Sequence, residues 1–193
     1  MELTLRFFFN IRKASQAAAY MVKLHGGHLN LMSLLKLLYL ADRLALLETG
    51  YTITGDRMVS MPNGPVLSRI YDFAKWGKPK DPRDESAQWY EYITERNDRE
   101  VSLVKSTPEI DELSEYEMEV LKKIHDEYGH LGPFELRDLT HTLPEYQDPD
   151  GSSIPIDPVD ILRLEGKANE EISRIVRTAT EVLFLDNLGR KAA

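Results

Sequence analysis

Residues 31–49 read LMSLLKLLYLADRLALLET, and this stretch decides the fold of the chain. Leu and other good helix formers fill most of its positions, which predicts one continuous α-helix. Asn30 precedes the stretch as a capping residue, and Gly50 follows it where helices commonly end. Because nearly every face of this helix is apolar, we expect it to be central and mostly buried.

Two cations, Lys36 and Arg43, lie on one narrow stripe of this helix together with Ser33. The later turn Asn63-Gly64-Pro65 suggests a second helix that starts at Pro65, whose free N–H groups would form an anion or carboxylate site with the two cations. In the alternative interpretation, both cations pair with acids of the same chain, such as Asp56. Pairing within the chain is the more common use of buried cations.

The remaining pattern predicts a mainly α protein, a compact single-domain helical bundle with a small β-hairpin or short β element. Further helices are predicted at residues 11–25, 65–77, 114–128, 133–141, from 157 onward, and 167–187. An extended segment is predicted at 52–61, and a hairpin that pairs Trp89–Ile93 with Val101–Val104. The single domain is expected to span residues 1–193, with its core at about 12–186 and exposed loops near 77–88 and 147–157.

Composition excludes several classes of protein. The 193 residues include no Cys, so thiol chemistry and Cys-based metal sites are impossible, and a reducing cytoplasm is the expected location. Neither a signal peptide nor a membrane span is recognisable, so no membrane partner is expected. The net charge of −8 disfavours nucleic acid as a partner, because phosphate backbones would be repelled.

No motif for catalysis or cofactor binding is present. The sequence lacks a G-x-S-x-G nucleophile turn, a dinucleotide-binding glycine pattern and a phosphate-binding loop. The histidines show no spacing typical of metal ligands, so no bound metal is predicted. Because the catalytic and cofactor motifs are also missing, catalytic residues and cofactors are predicted to be absent. A hydrolase or metal enzyme built on His125, His130 and His141 is kept as a third, weaker alternative.

Residues 114–146 resemble a helix-turn-helix in outline, which raises the alternative of an autoregulatory DNA-binding protein. The segment holds three basic and eight acidic residues, a net charge of −5. Its second helix offers Glu135, Arg137 and Asp138 where a DNA reader needs basic and amide side chains. We therefore interpret the segment as two packed core helices.

Several consecutive motifs together resemble the Panacea domain, also called the SocA-like antitoxin domain. They are KLLYLADR at 36–43, Gly50, ITGD at 53–56, MVSM at 58–61, NGPVLS at 63–68, and the looser FELRDLTH at 134–141 with PEY at 144–146. The resemblance covers roughly residues 12–186. It is most specific in the first half of the chain.

The resemblance implies an antitoxin without enzymatic activity, of a toxin–antitoxin system in bacteria, phages or prophages, with phage defence as an associated role. The partner would be a cognate toxin encoded by the adjacent gene and neutralised by direct binding. Delivery of the toxin to the ClpXP protease is a second mode that the resemblance implies. The stoichiometry of the complex is left open.

The hypothesis of toxin binding needs candidate contact residues. From the motifs these are Lys36, Arg43, Asp56, Asn63, Gly64 and Pro65; aromatic candidates expected to be exposed near the loops are Tyr51, Trp76 and Trp89, with Tyr90 and Tyr92. Aromatic anchors often carry much of the binding energy of an interface. In the alternative interpretation, the aromatic residues pack the hairpin onto the core.

Overall fold

The computed structural model describes the backbone of residues 3–191 and the side chains of residues 3–185. The predicted domain limits at 1 and 193 lie outside this part of the chain. The structure is about 52% helical with a few short antiparallel strands, which confirms the predicted mainly α fold. Within the described residues, no helix has the length and apolar character needed to cross a membrane.

Seven α-helices, one 3₁₀ helix and five short strands make up the described chain. The α-helices are α1 (Ile11–Leu24), α2 (Leu31–Thr49), α3 (Ser68–Trp76), α4 (Glu115–Tyr128), α5 (Pro133–His141), α6 (Pro158–Leu164) and α7 (Asn169–Lys191), and the 3₁₀ helix is Glu85–Glu91. The strands are β1 (His28–Asn30), β2 (Met58–Ser60), β3 (Val66–Leu67), β4 (Glu100–Ser102) and β5 (Ile154–Ile156).

Helix α2 is the centre of the structure, as the sequence predicts. The Asn30 side chain accepts a hydrogen bond from the Met32 N–H (3.0 Å) and caps its first turn. Gly50 ends the helix with a left-handed φ of 82° and donates to the Leu46 carbonyl (2.8 Å). Helices α1, α3, α4, α5 and α6 all contact α2, so its apolar side chains are enclosed from most directions.

Helix α4 packs against both α1 and α2. The predicted capping box is present: the Ser114 hydroxyl accepts from the Glu117 N–H, and the Glu117 carboxylate accepts from the Ser114 N–H (2.8 Å). Its buried face consists of Val120, Leu121 and Ile124. The acidic side chains of α4 lie on the outer surface except that of Glu117, which is 14% exposed and pairs with Lys13 (2.9 Å).

Two small antiparallel sheets border the helices. One has the strand order β3-β2-β5, and the other pairs β1 with β4. Strand β5 lies within the predicted 147–157 loop, where Ile156 pairs with Met58 and packs into the core. The β1–β4 pair holds the start of α2, because the Leu31 N–H donates to the Arg99 carbonyl (2.8 Å).

The predicted start of a helix at Pro65 is wrong. Val66 and Leu67 instead form β3 and pair with β2, which buries both side chains, and α3 begins at Ser68. The first N–H groups of α3 are also not free. The Asp56 carboxylate accepts from the Arg69 N–H (2.9 Å) and the Ile70 N–H (3.0 Å). An anion site at a helix start beside Pro65 is therefore excluded.

The predicted hairpin is only partly correct. Its turn exists, since the Asn97 N–H donates to the Glu100 carbonyl (2.9 Å), but residues 85–91 form the 3₁₀ helix instead of a strand. Asp84 caps this helix, which packs against α1 and buries Trp89. A single bridge between Ile93 and Leu103 remains of the predicted pairing. The second strand of the predicted hairpin corresponds to β4, which pairs with β1.

Leu38→Ala tests the central position of α2. Leu38 is 1% exposed, so the truncation removes apolar contacts and leaves a cavity, which should lower the free energy of unfolding by about 2–5 kcal/mol. Urea unfolding followed by circular dichroism measures the loss. The matched control is Leu164→Ala, at a position that is 53% exposed, which should change the free energy by less than about 1 kcal/mol. Equal effects would contradict the fold.

Candidate functional site

A cleft of about 550 Å³ opens beside the N-terminal half of α2. It is lined by Asn30, Leu31, Met32, Leu35, Lys36, Met61, Pro62, Asn63, Gly64, Val66, Tyr71, Arg96, Arg99, Pro133, Phe134, Gly151 and Ser152. These residues come from separate parts of the chain, which the two sheets and the start of α5 bring together. A cleft of this volume falls within the usual range of small-molecule and peptide-side-chain sites.

Lys36 lies on the inner wall of the cleft and is 1% exposed. Its ammonium donates one hydrogen bond to the Pro65 carbonyl (2.8 Å), and within the described residues it has no acidic partner. Burial lowers the pKa of Lys36 from 10.5 to about 7, because the charged form loses hydration without gaining a counter-ion. The ammonium therefore has donor capacity left for a ligand.

Gly64, in the 61–64 turn, lies close to this ammonium. Its φ is 86°, and a Cβ added there would lie 3.0 Å from Lys36 Nζ and 2.7 Å from the Thr140 hydroxyl oxygen. The turn itself is closed by the Gly64 N–H, which donates to the Met61 carbonyl (2.8 Å). Glycine at this position thus allows the turn to approach the buried ammonium closely.

His141 is a further polar residue near the turn, beside Thr140. Its ring stacks on Tyr146 with 4.4 Å between ring centroids, and its Nε2 atom is buried without a hydrogen-bond partner. Burial, together with the nearby charge of Lys36, lowers the pKa of His141. The neutral ring adds no positive charge beside Lys36 at physiological pH.

The cleft is basic although the chain is acidic. Arg96 and Arg99 are exposed residues on its lining, and their side chains form no ion pair within the described part of the chain. No Asp or Glu occurs among the lining residues, all of which belong to the described chain. Phe134, which is 55% exposed, adds a large apolar surface. The sequence analysis did not name Arg96, Arg99 or Phe134 as site residues. The two arginines on either side of the 97–98 turn could have indicated a basic surface there.

Arg43 lies away from the cleft and belongs to a buried ionic network. Its Nε atom donates to Glu145 Oε1 (2.8 Å), and its Nη2 atom donates to Glu145 Oε2 (3.1 Å) and to Glu165. The Tyr39 hydroxyl donates to the same Glu145 oxygen (2.8 Å). Through Glu145 the network connects the segment after α5 to α2, and through Glu165 it connects the end of α6 to α2. The prediction that both cations pair with acids of the chain is confirmed for Arg43 and wrong for Lys36, which has no acidic partner within the described residues, and Asp56 is the partner of neither.

Two buried aspartates, Asp42 and Asp56, accept hydrogen bonds from backbone N–H groups. Asp56 caps α3, as described above. Asp42 on α2 accepts from the Ile53 N–H and the Thr54 N–H (3.0 Å each) and from the Thr54 hydroxyl (2.5 Å). Complete burial raises the pKa of Asp42 to about 7. The sequence analysis missed this role of Asp42. Its one local signal was the ITGD motif at 53–56, which follows the helix.

The structure separates the aromatic candidates. Trp76 ends α3 and is 75% exposed, as expected. Trp89 is 1% exposed and Tyr90 is 7% exposed, so the expectation of exposure is wrong for both, because the 3₁₀ helix packs them onto the core. Tyr51 is half-buried against Phe7, with 5.9 Å between ring centroids.

The structure gives little support to the two remaining alternatives, a DNA-binding protein and an enzyme built on histidines. Helices α4 and α5 exist as predicted, but Arg137, the one basic residue on α5 apart from its last histidine, is paired with Asp138 (2.6 Å). His125 contacts His25 (3.3 Å) rather than His130 or His141. Within the described residues, no three His, Asp or Glu side chains are grouped so that they could hold a metal ion.

The fold and the cleft define a mainly α domain with a basic, partly apolar site suited to binding. A family model described as "Antitoxin SocA-like, Panacea domain" matches residues 34–146, more than half of the chain. The chain belongs to this family of antitoxins, and its partner is in general terms a toxin. Comparison with curated proteins and comparison with solved structures each find no match.

All the motifs that carry the sequence resemblance lie within the matched residues 34–146. The same region contains most of the cleft, including Lys36, Gly64, Arg96 and Phe134. The cleft is therefore built largely from the part of the chain that defines the family.

Exchanging each cation of α2 for methionine separates their roles. Arg43→Met leaves the buried Glu145 carboxylate without its cation, so the free energy of unfolding should fall by about 3 kcal/mol. Lys36→Met removes a buried ammonium that has no counter-ion in the described part of the chain, so the change in free energy should stay within about 1 kcal/mol. Urea unfolding at pH 7 measures both. A loss for Lys36→Met as large as that for Arg43→Met would show that Lys36 is structural.

Proposed function

We propose that this protein is an antitoxin that neutralises a cognate toxin, encoded by the adjacent gene, by binding it directly. Membership of the antitoxin family over residues 34–146 is the observation that carries the proposal. Antitoxins of this kind regulate by binding, so the family also favours a protein without enzymatic activity. Cytoplasmic action in a bacterial, phage or prophage system, including phage defence, is part of the same proposal.

The face around the cleft is the proposed contact surface. Lys36, Asn63 and Gly64 lie in the cleft, and the exposed Trp76 ends α3, the helix that lines the cleft through Tyr71. The basic cleft supplies charge for a protein partner, and the exposed Trp76 on the same helix as Tyr71 supplies an aromatic anchor. Arg43, Asp56, Pro65 and Trp89 act inside the fold, so they are omitted from this surface.

Delivery to ClpXP is a second mode by which the same complex would remove the toxin. The acidic side chains of α4 and α5 are exposed, apart from Glu117, and are available in either mode. An acidic surface speeds association with a basic partner. The two modes differ in whether neutralisation needs the protease.

Co-expression with the product of the adjacent gene tests the proposal. Growth should stop when that product is expressed alone and should recover when this chain is added. Direct binding predicts recovery in hosts with and without ClpXP, whereas delivery predicts recovery only where ClpXP is present. A neighbour that is harmless alone, or that stays toxic beside this chain, would refute the antitoxin function.

Trp76→Ala tests the contact surface in the same assay. The variant should fold normally, because its side chain is 75% exposed, and should bind the toxin at least about tenfold more weakly. Phe184→Ala is the matched control, at a 63% exposed aromatic position on α7. Equal affinities of both variants and the natural chain would place the contact surface elsewhere.

A further inference from the structure

The buried ammonium of Lys36 is unusual because nothing in the described chain neutralises it. Burying a cation without an anion costs free energy, and most buried cations are therefore paired. The chain has 32 acidic residues, and Arg43 on the same helix has two of them as partners. Within the described residues, the one hydrogen-bond partner of the Lys36 ammonium is the Pro65 carbonyl.

The surroundings of this ammonium combine apolar walls with further positive charge. Met32, Leu35, Met61 and Val66 line the same cleft, and the exposed Phe134 extends the apolar surface. Arg96 and Arg99 also line the cleft and have no ion-pair partner in the described residues. A ligand that fits this arrangement carries a negative charge at one end and an apolar group at the other.

We propose that the cleft binds an organic carboxylate carried on an apolar group. The carboxylate accepts from the Lys36 ammonium, and the apolar group lies between Met32, Met61 and Phe134. One buried cation matches a single carboxylate, whereas a polyphosphate needs a cradle of backbone N–H groups or several cations at close range. The arginines attract the anion and contact it less closely, because they are exposed to water.

Two sources can present this chemistry. The carboxylate belongs either to a free small molecule or to an acidic side chain or chain end of the toxin. The site is the same in both cases, and the inference about its chemistry does not depend on the proposed antitoxin function. The source decides whether the cleft senses a metabolite or contributes to recognition of the toxin.

Titration with 4-phenylbutanoate tests the site without any toxin. The full chain carries 13C-methyl methionine and is studied by NMR at pH 6.5, below the pKa of Lys36. The methyl signals of Met32 and Met61 should shift and saturate, with a dissociation constant on the order of 1 mM. Met21 and Met118 lie outside the cleft lining, so their signals should not move.

The matched neutral ligand 4-phenylbutanamide has nearly the same shape and should bind at least about tenfold more weakly, because it cannot pair with the ammonium. Lys36→Met should lose about the same factor for the acid and little for the amide. Arg96→Gln combined with Arg99→Gln, both on the surface, should weaken the acid by a smaller factor. Lys123→Met, an exposed lysine on α4, is the control and should leave binding unchanged.

Absence of saturable shifts in the natural chain would overturn the proposal, as would equal affinity for the acid and the amide. A site that binds the acid equally well in Lys36→Met would also overturn it. Toxin affinity of Lys36→Met then identifies the source: at least about tenfold weaker binding assigns the carboxylate to the toxin, and unchanged binding assigns it to a small molecule. Failure of the antitoxin function leaves the NMR result interpretable.

Discussion

Helix α2 is buried along most of its length, so the polar side chains on its buried part must find their partners inside the protein. This constraint organises the structure around it. Asp42 accepts three hydrogen bonds from residues 53 and 54 and thereby fixes the chain just after the helix. Tyr39 and Arg43 bind Glu145, which fixes the segment between α5 and β5.

The two cations of the helix meet this constraint differently. Arg43 is enclosed by carboxylates, so its charge stabilises the fold as part of a network that would be costly to break. Lys36 is two turns closer to the N-terminus, where Pro65, between the 61–64 turn and β3, supplies one carbonyl and the cleft begins. The same helix therefore stabilises the domain with one half and lines the cleft with the other.

Local signals in the sequence were enough to predict α2 and its neighbours. The caps at Asn30, Gly50 and Ser114 and the run of leucines act over a few residues, and each of them has the predicted role. The start of α3 could not be predicted in this way. Val66 and Leu67 are equally suited to a helix, and only pairing with the distant β2 makes them a strand.

The candidate site was predicted only in part for the same reason. Lys36, Asn63 and Gly64 stand out in the sequence, and the structure places all three in the cleft. The ion-pair partner of Arg43 could not be predicted from local sequence, because Glu145 lies 102 residues further along the chain. Arg99 reaches the cleft through the pairing of β4 with β1, a contact for which the sequence pattern offered a competing hairpin.

The pKa of Lys36 tests most directly whether α2 carries a buried cation without a counter-ion. It can be measured by NMR titration of chain labelled with 13C at the lysine ε carbons, and the missing signal in Lys36→Met assigns the resonance. The structure predicts one lysine that titrates at about 7 in the free chain, and whose pKa rises when a carboxylate occupies the cleft. Titration of every lysine near its ordinary value would show that the ammonium is hydrated or paired, and would contradict the cleft as described.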